Sequence, residues 1–289
     1  MKKMMNISVL LVLVLLGLYL LLPKNTKEQN RVIVSVTTFA LYDVATHIAG
    51  DTLKIVNILP FGAEPHEFEP TPKVMAEVEK SALVFYSGAG LEPWVAGFRF
   101  KSKAVDMSKF VELNGNDPHY WLDFENLQKV AKVMSNEFCA LSPKNAKLYK
   151  NNYIKYSKML KKLDESYKTE LSNCKIDTVV MNHNALGYVG KRYGFSIESI
   201  SGLSPEASPT PKDIQRIIKE IRSKHVKTIF FESFSNNKAI KTIASDANVS
   251  FDMFEPLGNI SADELRKGLG YEEIMRLNLK KLSKALMCR

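Results

Sequence analysis

The chain has 289 residues, of which 45% are hydrophobic and 25% charged, and a formal net charge of +9. This composition excludes a disordered or fibrous chain, and the length calls for two domains of about 100–150 residues each. The charge brings no recognition motif with it, so nucleic acid is excluded as a partner; lysine runs such as "KYSKMLKKL" read as solvated helix faces, with at most a mild attraction to an anionic membrane surface.

The N-terminus "MKKMMNISVLLVLVLLGLYLLLPKN" places two lysines before an apolar run from Ile7 to Leu22. That is the layout of a secretory signal, but neither a small-x-small cleavage site nor a nearby cysteine follows. Residues 1–30 therefore read as a signal peptide or uncleaved membrane anchor plus a short tether. An anchor over 6–22 would span about 25 Å, hold Lys2 and Lys3 on the cytoplasmic side and export the rest, giving a periplasmic or extracytoplasmic protein.

After the tether, "RVIVSV" reads as a strand leading into a helix, "LKIVNILP" as a second strand and "LVFYSGAG" as a third, buried one. Between the last two, "TPKVMAEVEKSA" is a helix with Thr71 as N-cap and Pro72 at its first position. The alternation resumes with "IDTVVMNH", "KDIQRIIKEIRSKHV", "KTIFFES", "AIKTIASDAN" and "VSFDMFEPLG", and the amphipathic "GYEEIMRLNLKKLSKAL" closes the chain. Such alternation marks α/β lobes with mostly parallel sheets. Between them, Tyr149, Tyr153, Tyr156, Leu160, Leu163, Tyr167 and Leu171 recur at helical period without glycine or proline. We read 143–172 as one long helix, N-capped by Ser142. The expected organisation is an N-terminal lobe over 31–141, a stiff connecting helix over 142–173 and a C-terminal lobe over 174–289. The three cysteines, Cys139, Cys174 and Cys288, form no CxxC pair. Cys139 and Cys174 flank the long helix, out of disulfide reach of each other, so three unpaired thiols are expected.

Five histidines divide into two kinds. His47, on a helical turn before a glycine, reads as packed or C-capping, and His225, between lysines at a helix end, as solvated. His66 follows a strand, His119 lies in a loop before the helix "FENLQKVAKVM" and His183 ends the strand "DTVVMN"; all three read as standing at the edge where open α/β sheets bind ligands. Prolines on either side of His66 restrict its loop. Glu255 ends the last hydrophobic strand in the same position; Glu232 is its rival or a supporting group, and Asp252, inside the strand, a weaker candidate. Three neutral imidazoles and one carboxylate make a four-ligand set that suits Zn²⁺. Each imidazole needs its second nitrogen oriented, and Glu64, Glu67, Asp117 and Asn182 are near enough in sequence to do so. A zinc hydrolase would also use such residues, with Glu232 as base, but neither HExxH nor a comparable catalytic motif is present, so an enzyme is not expected.

The segments "GAEPHEFEPTPKVMAEVEKSALVFYSGAGLEPWV", "NDPHYWLDFEN", "NHNALGYVGKRYG" and "FFESFSNNKAIKTIASDANVSFDMFEPLG" closely resemble the metal-binding solute-binding proteins of zinc and manganese ABC importers. The resemblance covers nearly everything after the N-terminal segment. It implies two (β/α) lobes joined by a rigid long helix, and one metal ion bound in the inter-lobe cleft and delivered to a membrane permease. It also implies His66, His119, His183 and the acid before "PLG", Glu255, as ligands. That acid is usually Asp in the family. Manganese-selective members often have Glu at the third position; His183 there leans towards Zn²⁺, with Mn²⁺ or Fe²⁺ as the alternatives. The stretch "VAGFRFKSKAVDMSKFVELNGN" lacks the His- and acid-rich loop of many zinc-specific members. A monomer is expected, and the wider family also contains adhesins.

Overall fold

The computed structural model describes residues 31–203, 209–234 and 238–289. The expected leader and tether over 1–30 lie outside the described residues. The chain builds two four-stranded, all-parallel sheets of the same strand order. The first comprises β1 (Ile33–Val36), β2 (Lys54–Asn57), β3 (Leu83–Tyr86) and β4 (Lys103–Asp106) in the order β2-β1-β3-β4. The second comprises β5 (Thr178–Met181), β6 (Ser196–Ser199), β7 (Thr228–Glu232) and β8 (Ser250–Phe254) in the order β6-β5-β7-β8. The central strands are β-branched and aromatic and nearly fully buried, as strands covered on both faces must be. The edge strands β4 and β6 are short and polar, and the sequence gives no strand signal at either.

In the first lobe the sheet carries α1 (Phe39–Ala49), α2 (Pro72–Val78) and α3 (Phe124–Leu141). Thr71 caps α2 by accepting from the Val74 N–H, and Pro72 follows at its first position. Asp123 caps α3 by accepting from the N–H groups of Glu125 and Asn126. The connecting helix α4 runs from Ala146 to Glu170 after a 3₁₀ turn over Pro143–Asn145. Its 25 residues make a rod of about 37 Å. Ser142 is not a backbone cap here; its hydroxyl accepts from the Asn145 side chain at 3.1 Å. The apolar stripe faces inward: Tyr149, Tyr156, Leu160, Leu163 and Tyr167 are buried, and each leucine contributes about 1.5–3 kcal/mol relative to exposure. The second lobe adds α5 (Gly187–Tyr193), α6 (Pro211–Ser223), α7 (Lys238–Ala247), α8 (Ala262–Arg266) and α9 (Tyr271–Ala285).

The hydrophobic core does not stop at the lobe boundary. Val34 and Phe39 of the first lobe, Tyr156 and Leu160 of α4, and Phe230 and Leu282 of the second lobe belong to one cluster. Direct hydrogen bonds also cross between lobes. The first N–H groups of α1 have no side-chain cap; Phe39 N donates to the Gly258 carbonyl (2.9 Å) and Ala40 N to that of Leu257 (3.2 Å). The second lobe thus satisfies donors that a helix start always leaves open.

The cysteine expectation is corrected. Cys174 and Cys288 form a disulfide, and Cys139 alone is free. The pairing joins residues 114 apart. The chain end returns beside the segment that enters β5, where Ile176 N donates to the Leu286 carbonyl (3.0 Å) and Arg289 N to that of Asn173 (3.1 Å). No local spacing reveals a partner brought in by tertiary return. The bond suits an oxidising, extracytoplasmic compartment.

Candidate metal centre

Parallel strands send their C-terminal ends to one edge, and the candidate residues stand in the loops there. His66 follows β2, His119 follows β4, His183 follows β5, Glu232 ends β7 and Glu255 follows β8. The three histidines converge: one ring nitrogen from each lies within 4.8 Å of the others. The Nε2 of His119 is 3.3 Å from that of His66 and 3.4 Å from that of His183. His119 and His183 are buried, whereas His66 is half-buried.

Two carboxylates stand beside the rings. Asp117 Oδ1 accepts from His119 Nδ1 at 2.7 Å and from the His119 backbone N–H at 2.9 Å. Glu232 Oε1 lies 2.5 Å from His183 Nδ1. With its Nδ1 proton directed to Asp117, the His119 ring presents its Nε2 lone pair to the cluster, while the Glu232 carboxylate is only at ion-pair distance from His183. Asp117 is therefore the orienting group for His119 among the four candidates, and Glu232 stands beside Nδ1 of His183, whose Nε2 is the atom that faces the cluster. His66 is held near a pKa of about 3 by burial first and by the two neighbouring imidazoles second. It is neutral at ordinary pH, as a metal ligand must be.

The loop carrying His66 is built from both lobes. Glu64 folds back to accept from the Glu67 N–H (2.9 Å); burial pushes its carboxyl up to about 7. Asn259 Nδ2 donates to the carbonyls of Pro60 (2.7 Å) and Ala63 (2.8 Å), and Gly62 N donates to that of Ile260 (2.9 Å). A Cβ at Gly258 would sit 2.8 Å from Pro65 Cγ, so glycine is what allows this approach. Trp121 completes the joint: its ring meets His119 edge-on at 5.4 Å, and its Nε1–H donates to the Pro256 carbonyl at 2.7 Å. The segment 256–260 and Trp121 are the functional residues that sequence reasoning missed. The "PLG" motif is the only signal that marks this segment.

Glu255 is buried but does not join the histidine group. Its backbone is clamped by Asn278, which donates to the Glu255 carbonyl at 2.8 Å. One carboxylate oxygen accepts from the Ser233 hydroxyl, and Oε2 has no hydrogen-bond partner among the described residues. Burial pushes this carboxyl up to about 8. Asp252 lies 3.7 Å from Lys281 Nζ at the surface. His47 bonds the Asp43 carbonyl through Nδ1 (2.8 Å) in the last turn of α1, and His225 is exposed beyond α6. Both are apart from the cluster.

Residues 34–285 match the family model of ZnuA, the periplasmic component A of the zinc-uptake complex. The chain belongs to the ZnuA family. It is 28% identical to the high-affinity zinc uptake system protein ZnuA of Bacillus subtilis, over 91% of this chain and 90% of that protein. It is 30% identical to the manganese ABC transporter substrate-binding lipoprotein PsaA of Streptococcus pneumoniae, over 99% of each. Among solved structures, it superposes on the laminin-binding protein Lmb of Streptococcus agalactiae, described as both adhesin and metal transporter, with a TM-score of 0.83. The identity is 27%, over 89% of this chain and all of that one. As a ZnuA-family member the chain is an extracytoplasmic receptor of a metal ABC importer, working with a membrane permease, and not an enzyme.

Proposed function

We propose that this receptor captures Zn²⁺ as a monomer, through His66, His119, His183 and Glu255, and releases it to the permease. The observation that carries this reading is the convergence of three Nε2 atoms, one on a ring held by Asp117 and one on a ring with the Glu232 carboxylate beside it. A site offering three neutral nitrogens suits zinc, and at such sites zinc also outranks manganese in the general affinity order. Glu255 is proposed as the fourth ligand because a buried carboxylate with one unpartnered oxygen is stabilised by a nearby cation. The lobes over 31–141 and 174–289 are proposed to hold the ion between them across α4.

The test is a competition titration of Zn²⁺ against Mn²⁺, with the wild type and His119→Ala, at pH 7.5 and pH 5. One equivalent of zinc should bind more tightly than manganese. Affinity should fall at pH 5, where protons compete for imidazole. His119→Ala should bind far more weakly while keeping its fold. Unchanged stoichiometry and affinity in that variant would exclude the ligand set.

A further inference from the structure

The metal site makes no use of the lysine run in α4, yet its placement is specific. Residues 146–163 contain six lysines, at 147, 150, 155, 158, 161 and 162, and neither aspartate nor glutamate. At 3.6 residues per turn these fall within an arc of about 140°, opposite the buried stripe, in a row about 22 Å long. All six are exposed, and none is in an ion pair among the described residues. Within the row stands Ile154, 60% exposed, the most exposed large apolar side chain described. Acidic residues return only at Asp164 and Glu165, and Asp164 is engaged by Lys168 and Arg192.

Such a row opposes helix stability. Lys147 with Lys150, Lys155 with Lys158, and Lys158 with both Lys161 and Lys162 are like-charge pairs three or four residues apart. A flat anionic surface would convert these repulsions into attraction, and an apolar side chain amid lysines suits a lipid headgroup layer. The first half of α4 lies at the end of the lobe where the described chain begins. Tyr149 OH is 2.9 Å from Thr52 Oγ1, and two residues on, Lys54 N donates to the Val32 carbonyl. Nine residues separate the apolar run Ile7–Leu22 from Val32, a reach of at most about 36 Å.

We infer that the lysine face of α4 docks on the anionic phospholipid surface of the membrane holding the permease. The inference rests on the permease-receptor reading above. Because this face is opposite the stripe packed on the lobes, the docked receptor keeps its histidine site off the bilayer, in a metal-collecting pose.

The experiment uses the full chain with Cys139→Ser and Asn151→Cys, carrying a fluorophore at 151, on vesicles of phosphatidylcholine alone or with about one-third phosphatidylglycerol. Acrylamide quenching reports exposure of the helix whether or not the N-terminal segment inserts. Quenching should fall severalfold on the anionic vesicles only and recover in about 0.5 M salt. Lys155→Glu/Lys158→Glu/Lys162→Glu should abolish the protection, each lysine being worth roughly fivefold in association. Equal quenching on both vesicles overturns the proposal, as does protection that survives charge reversal. Binding of this face to DNA without protection on vesicles also overturns it. Zinc titration of the same protein is read separately, so failure of the metal reading is distinguishable from failure of docking.

Discussion

Replacing Glu232 by glutamine tests whether the carboxylates behind the histidines tune the site. The substitution keeps an oxygen that can accept from His183 Nδ1, now 2.5 Å from Glu232 Oε1, but removes the charge. Across an imidazole ring and a zinc–nitrogen bond, that charge would lie about 6.5 Å from a bound ion. For a divalent ion this separation gives about 1 kcal/mol at the dielectric of water and about 5 kcal/mol at an effective dielectric of 20. Loss of such a supporting group typically costs 10–100-fold in affinity, about 1.4–2.7 kcal/mol, which falls inside that range. The metal-free protein should respond in the opposite direction. Glu232 is a negative neighbour that helps to push up both Glu64 and Glu255, so its neutralisation relieves repulsion. We therefore expect zinc affinity to drop 10–100-fold in a chelator-competition titration while the metal-free melting temperature holds or rises. A variant that binds zinc within twofold of the wild type would refute the electrostatic reasoning. A variant that loses affinity only because it melts lower would refute the orienting role.

Three further outcomes follow from the geometry. Glu255, raised from 4.5 to about 8, keeps in the folded state a proton that the unfolded chain has lost, so its contribution is full below pH 4.5 and disappears as pH rises through 8. His66, lowered from 6.5 to about 3, works in the opposite sense and costs stability as pH falls from 6.5 towards 3. In thermal melts of metal-free protein, Glu255→Gln should flatten the decline between pH 5 and pH 8, and an unchanged slope would count against the burial of that carboxyl. Cys174→Ser/Cys288→Ser opens a closure of 114 residues and should cost up to about 4–5 kcal/mol in denaturant unfolding, with zinc affinity within about twofold of wild type. Gly258→Ala drives a methyl group to 2.8 Å from Pro65 Cγ and should destabilise by about 1–3 kcal/mol. Because Pro65 precedes His66, this variant should also bind zinc less tightly, measured by the same titration.

The sequence reveals those parts of the fold that depend on local chemistry. Thr71 with Pro72 and Asp123 are caps readable from three consecutive residues, and the tyrosine–leucine stripe of α4 is readable from its period alone. His66 and His183 are also readable, because the ends of their strands are marked by hydrophobic runs and parallel strands deliver their C-terminal ends to one edge. Strands β4 and β6 are not, because an edge strand buried on few sides needs no apolar run: "KAVD" and "SIES" become strands through the neighbours they pair with. Ser142 misleads for a related reason, since the chain enters α4 through a 3₁₀ turn and the hydroxyl is taken by Asn145.

The deeper gap concerns what holds the site together. Asp117 lies two residues from His119 and could be proposed from proximity, but Glu232 reaches His183 from another strand and looks in sequence like a competing ligand. The segment 256–260 is further removed. Its backbone and Asn259 side chain cap α1, anchor the loop before His66 and receive Trp121, acting on residues some 135 to more than 200 positions away. None of these contacts depends on a periodic pattern, and several use carbonyl groups that every residue possesses. A histidine triad can therefore be inferred from side-chain identity, whereas the distance between its members is set by a few backbone groups of the opposite lobe. This division explains why Gly258→Ala, a change remote in sequence from all three histidines, is expected to move the site.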